Sequence, residues 1–102
     1  MFHNTTLIST SKFEIGTLVF TRTINDAIAD NEKFAEEITS ALRRYINAEW
    51  GDLSLSDKKA NDNAVKTGDD RILAAYHTTN GKIYIITEWD RSYTTILFAY
   101  EY

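Results

Sequence analysis

The densest run of reactive side chains in this sequence is Thr87-Glu88-Trp89-Asp90-Arg91-Ser92. Glu88 and Asp90 stand two positions apart. On a continuing strand they would share one face and offer a carboxylate pair to a hard cation or to a basic partner. The same residues can instead form a clasp. Arg91 would fork onto a carboxylate such as Asp52 or Asp62, while Ser92 and the neighbouring threonines satisfy backbone groups at a turn. Further metal ligands are lacking beside the pair, so neither a metal site nor a cofactor is assigned. The enzymatic alternative is a small metal-dependent nuclease using Asp52, Glu88 and Asp90. No catalytic residue is assigned in the leading reading.

Other constellations point to binding. Asp26, Asp30, Glu32, Glu36 and Glu37 crowd one stretch. They would imitate a phosphate path for a protein that grips nucleic acid, or simply form a solvated helix face with acids favoured by the helix dipole. Trp50, beside Gly51 and Asp52, is either a contact anchor or a core aromatic with its indole N–H bonded nearby. Asn61 and Asp62 either face water or join Asp52, Arg71, Arg91 and Ser92 in a polar network between helices and sheet. Tyr76 and Tyr84 are expected as cross-strand neighbours. The basic pairs Arg43-Arg44 and Lys58-Lys59 are too few for a nucleic-acid groove unless folding unites them.

Composition limits the remaining chemistry. The chain has 102 residues, enough for one domain. It has no cysteine, which removes disulfides, thiolate zinc sites and cysteine nucleophiles, and fits a reducing cytoplasm. Its two histidines, His3 and His77, have no ligand-like spacing. A net charge of −4 argues against direct nucleic-acid binding, and either suits a basic protein partner or simply keeps a small protein soluble. No apolar run approaches the roughly 20 residues that span a bilayer, so a membrane role is not expected.

These residues must be positioned by a small set of elements. Residues 1–11 read as a tail or edge strand, and residues 12–102 as one α+β domain. Lys12 to Thr21 alternates as a strand, with Phe13, Ile15 and Val19 on one face and Leu18 and Phe20 on the other. A short helix follows through Asp26–Ala29, capped by Thr23 or Asn25. A longer one runs from about Glu32 to Ala48, with Phe34, Ile38, Ala41, Leu42 and Tyr45 in one stripe. Gly51 is suited to close it. Ser54 or Ser56 opens a polar third helix. A meander then follows: Arg71–Thr78, an Asn80-Gly81 turn with positive φ at both central residues, Lys82–Trp89, and Tyr93–Phe98. This order predicts a small antiparallel sheet, the N-terminal strand plus the C-terminal three-stranded meander, with two to three helices on one face.

Several spaced motifs resemble those of a family of small bacterial proteins carried on plasmids, conjugative elements and phages. They are Trp50-Gly51-Asp52-Leu53, Asp57, Asn61-Asp62, Arg71-Ile72-Leu73 with Tyr76, Ile85-Ile86-Thr87-Glu88, Asp90-Arg91-Ser92, Thr94-Thr95-Ile96-Leu97 and Glu101-Tyr102. The likeness covers residues 12–102. It departs at Ala99-Tyr100, where the family tends to carry a proline and an acid. The resemblance implies a setting, mobile DNA inside bacteria, and no established reaction. Small proteins of that setting often disable host defence. The expected function is therefore inhibition of a bacterial defence protein, a CRISPR effector first and a restriction enzyme next. Contacts would come from Asp26, Asp30, Glu32, Glu36, Glu37, Trp50, Glu88, Asp90 and Arg91. A homodimeric regulatory module pairing through Thr5–Ser11 is a third class.

Overall fold

A computed structural model describes residues 11–102. The elements are β1 (Thr17–Phe20), α1 (Arg22–Asp30), α2 (Glu32–Ile46), α3 (Leu55–Thr67), β2 (Ile72–Thr78), β3 (Gly81–Thr87), β4 (Tyr93–Phe98) and a closing 3-10 turn, Ala99–Glu101. The expected α+β fold is present. The tail and the dimer edge at Thr5–Ser11 fall outside the described residues apart from Ser11. Among the described residues, no helix is long and apolar enough to cross a membrane.

The sheet order is β1-β4-β3-β2, and one pairing differs from expectation: β1 joins β4 in parallel. The cause is the helical crossover. α1, α2 and α3 return the chain to the end of the sheet where β1 began, so β2 runs the same way as β1. Two hairpin turns then give β4 that direction too. The sheet is mixed, with antiparallel β2–β3 and β3–β4 ladders.

Each helix starts where a short polar side chain accepts from the first turn. Thr21 takes the N–H of Ile24 at 3.2 Å, Asn31 that of Phe34 at 3.2 Å, and Ser54 that of Asp57 at 3.1 Å. Thr21, rather than Thr23 or Asn25, starts α1 two residues earlier than the first of the expected caps. The long helix ends at Ile46, and Ala48, not Gly51, takes the left-handed conformation after it, with φ of 62°. Gly51 is left-handed for another reason. It approaches β2 so closely that a Cβ there would stand 2.0 Å from the Ala75 carbonyl oxygen.

Only Thr17–Phe20 of the expected Lys12–Thr21 strand is extended in the sheet. Gly16, at φ of 64°, breaks it, because the carbonyls of Arg91 and Ser92 fill the place of a side chain. That break changes the face assignment: Leu18 packs against the core together with Phe13 and Ile15. The β2–β3 turn also shifts. Thr79-Asn80 are its central residues, and of Asn80 and Gly81 only Gly81 has positive φ, 111°. The Thr78 hydroxyl holds this turn, accepting from the Asn80 N–H at 3.1 Å and donating to the Gly81 carbonyl at 2.6 Å.

The core lies between α1–α2 and one face of the sheet. Ile24, Phe34, Ile38, Tyr45 and Ile46 meet Ile72, Ala74, Ile83, Ile85, Ile96 and Phe98, with Phe34 and Phe98 stacked at 5.6 Å. α3 closes the β2 side through Ala64. One polar thread crosses this core. Tyr45 Oη and Thr87 Oγ1 are 2.7 Å apart, Thr87 Oγ1 and Thr94 Oγ1 are 2.7 Å apart, and Thr94 donates to the Ile15 carbonyl at 2.6 Å. Since Thr94 gives its proton to Ile15, Thr87 donates to Thr94 and Tyr45 to Thr87.

Candidate interaction surfaces

α1 and α2 present the acidic residues as a corner. Asp26, Asp30, Glu32 and Glu36 are all exposed, and none lies within ion-pair distance of a base among the described residues. Asp26 and Asp30, like Glu32 and Glu36, are one turn apart, about 6 Å along their helix. Glu37 has a different job. Its carboxylate accepts from the Thr79 N–H at 3.1 Å and the Thr79 hydroxyl at 2.7 Å, tying α2 to the hairpin turn. Those hydrogen bonds hold its pKa below the usual carboxylate value.

The Thr87–Ser92 segment is a clasp. Arg91 adopts φ of 61° and turns its guanidinium onto backbone carbonyls, not onto Asp52 or Asp62. It donates to Asp70 at 2.6 Å, Ala64 at 2.9 Å, Trp89 at 3.1 Å and Glu88 at 3.2 Å. This ties the β3–β4 turn to the end of α3, and Arg91 leaves the expected contact set. Asp90 folds onto its own turn, accepting from the Ser92 N–H at 3.0 Å and the Ser92 hydroxyl at 2.6 Å, which lowers its pKa. Thr87 is buried in the hydroxyl thread. Glu88 and the exposed Trp89 remain available to a partner.

Trp50 also leaves the contact set. It is 3% exposed, packs against Phe13 and Tyr45, and donates its indole N–H to Asp62 at 2.8 Å. The exposed tryptophan is Trp89, at 62%. The acidic corner and the Trp89 turn lie at opposite ends of the sheet. Asn31 and Glu37 reach the β2–β3 turn, whereas Trp89 follows the far end of β3. A strand of that length separates them by about 20 Å.

The single polar network expected among Asp52, Asn61, Asp62, Arg71, Arg91 and Ser92 resolves into separate devices. Asn61 works like a missing strand, donating to the Leu73 carbonyl at 2.8 Å and accepting from its N–H at 3.3 Å. Asp52 donates its N–H to Ala75 at 2.7 Å, while Ala75 N–H donates to Trp50 at 3.3 Å. Together these occupy the outer edge of β2 at Leu73 and Ala75. Arg71 reaches Tyr102 Oη at 2.6 Å. Tyr102 stacks edge-on to Tyr84, while Tyr76 pairs with Ile83 in the ladder, so Tyr76 and Tyr84 are not cross-strand neighbours.

Sequence reasoning missed a third cluster. The Asp52 carboxylate meets His77 Nε2 at 2.7 Å and Lys82 Nζ at 3.8 Å; Asp52 and His77 are exposed and Lys82 is half-buried. The hairpin register places His77 opposite Lys82. That pairing was readable once the turn was fixed, whereas the approach of Asp52 required the Gly51–Ala75 bridge. Among the described residues no three His, Asp or Glu side chains converge to hold a metal, and Asp52 is turned to His77 rather than to Glu88 and Asp90. No family model, no curated protein and no solved structure matches the chain.

Proposed function

We propose that this chain is a mobile-element accessory protein that binds and inhibits a bacterial defence nuclease, a CRISPR effector foremost and a restriction enzyme next. It would lay the α1–α2 corner into the basic groove through which such an enzyme grips nucleic acid. The carrying observation is the set Asp26, Asp30, Glu32 and Glu36, exposed and without a basic partner among the described residues. Unneutralised carboxylates on a rigid helical corner suit a positively charged partner, steering its approach and fixing its register. The resemblance to mobile-element proteins supplies the setting.

The mechanism is occupancy. Carboxylates in the groove displace phosphates, so the nuclease is blocked without any covalent step by the inhibitor. The contact is salt-sensitive, because exposed charges are screened beyond about 10 Å at 0.1 M ionic strength. The test is plasmid transformation into a host with an active CRISPR or restriction system, with and without the protein. D26K/D30K/E32K/E36K is expected to abolish protection while keeping the far-UV circular dichroism of the parent. A quadruple variant that protects as well as the parent overturns the reading.

A further inference from the structure

Arg43-Arg44 on α2 and Lys58-Lys59 on α3 lie far apart in sequence, and the fold gathers three of the four into one concavity. Arg44, Lys58 and Lys59 line a cleft of about 470 Å³ whose wall includes Trp50 and Gly51. Two acids line it as well, so the three cations leave the lining with one net positive charge. Asp62 accepts the Trp50 indole N–H at 2.8 Å, and Glu49 lies 3.7 Å from Arg44 Nε. Lys58 and Lys59 have no acid within ion-pair distance among the described residues, and Lys58 is half-buried. An ammonium group without a counter-charge is open to an incoming anion.

The wall of this cleft is pre-organised. Ala48, a non-glycine residue, is held at φ of 62°, a strained conformation that persists where surrounding contacts enforce it. Tyr76 Oη donates to the Glu49 carbonyl at 2.6 Å, and the Glu49 N–H donates to Arg44 at 2.9 Å. The Arg44 guanidinium lies 5.1 Å from the centre of the Tyr76 ring. A smaller cleft of about 200 Å³, lined by Lys59, Asp62, Asn63 and Lys66, continues along α3.

We infer that this cleft binds a small polyphosphorylated ligand, with Lys58 and Lys59 taking the phosphate oxygens and Arg44 closing the α2 side. A volume of about 470 Å³ suits a small molecule. The net charge of −4 disfavours a long phosphodiester strand beyond the cleft. The site is separate from the acidic corner, so the two can fail independently.

Pyrophosphate at low ionic strength is the probe, and amide nitrogen–proton spectra of the full chain are the readout. Saturable shifts are expected at Gly51, Lys58 and Lys59. K58Q/K59Q is expected to weaken binding at least about tenfold. Glutamine keeps helix propensity on this polar helix, and the dispersion of the variant's spectrum reports its folding. R43Q, outside the cleft lining, should bind like the parent. Three results would each overturn the inference: no saturable shift at millimolar pyrophosphate, unchanged affinity in K58Q/K59Q, or tighter binding of a short single-stranded oligonucleotide than of pyrophosphate.

Discussion

The hydroxyl thread through the core yields a graded prediction. Its direction is fixed by the Ile15 carbonyl: Tyr45 donates to Thr87, Thr87 to Thr94 and Thr94 to Ile15. Removing each member therefore strands a different number of buried groups. Tyr45→Phe takes away one donor and leaves Thr87 still donating, a loss of about 1 kcal/mol. Thr87→Val leaves Tyr45 Oη with only the Ile72 carbonyl at 3.4 Å and deprives Thr94 of its donor, for about 2 kcal/mol. Thr94→Val strands both the Ile15 carbonyl and the Thr87 hydroxyl, for about 3 kcal/mol. Thr→Val conserves shape, so cavity effects are small. Urea unfolding followed by circular dichroism at neutral pH measures the series. The triple variant strands chiefly Ile15 and should cost no more than Thr94→Val alone. If Thr94→Val costs no more than Tyr45→Phe, or if the three losses simply add, the directional thread is wrong.

Burial raises the pKa of Tyr45 and Tyr76 well above the ordinary tyrosine value of 10.0. Their stabilisation is complete below that value and fades as pH climbs from it toward the folded-state pKa. Thermal melts above pH 10 should therefore fall steeply for the parent and less steeply for Y76F. Glu37 behaves oppositely. Its lowered pKa means a contribution present above the ordinary glutamate value of 4.5 and lost as pH falls below it, so E37Q should flatten the acid side of the melting profile. Gly51→Ala meets the Ala75 carbonyl and an unfavourable φ of 75° together. It should destabilise by about 3 kcal/mol or more, read in the same urea assay. A loss under 1 kcal/mol would show that the Gly51–Ala75 approach is soft.

Much of the fold was legible because local rules and tertiary packing agreed. The Phe34–Tyr45 stripe, the Ser54 cap and the boundaries of β4 follow from periodicity and turn chemistry alone. The parallel β1–β4 pair was not legible, since it depends on the handedness and length of a crossover spanning three helices. The roles of Arg91 and Trp50 were half legible. Their chemical needs, a set of acceptors and one indole partner, could be read from the sequence. The partners, backbone carbonyls for one and Asp62 for the other, are set by where α3 docks. The cationic cleft was hidden for the same reason: Arg44 and Lys58 become neighbours only when α2 and α3 are folded against Trp50. Exposure of the acids on α1 and α2 was the simplest reading of a polar helical face, and Glu37 departs from it because the hairpin turn comes within reach.

The neighbour of β1 in the sheet is β4, and Thr17 waits for Tyr93 as Leu18 waits for Thr94. A chain emerging from the ribosome can assemble its helical layer and its hairpin before either end is in place. The sheet acquires its third and fourth members only after residues beyond 90 have been released. Shortening the chain before Tyr93 would thus unfasten its beginning, so damage at one terminus is felt at the other.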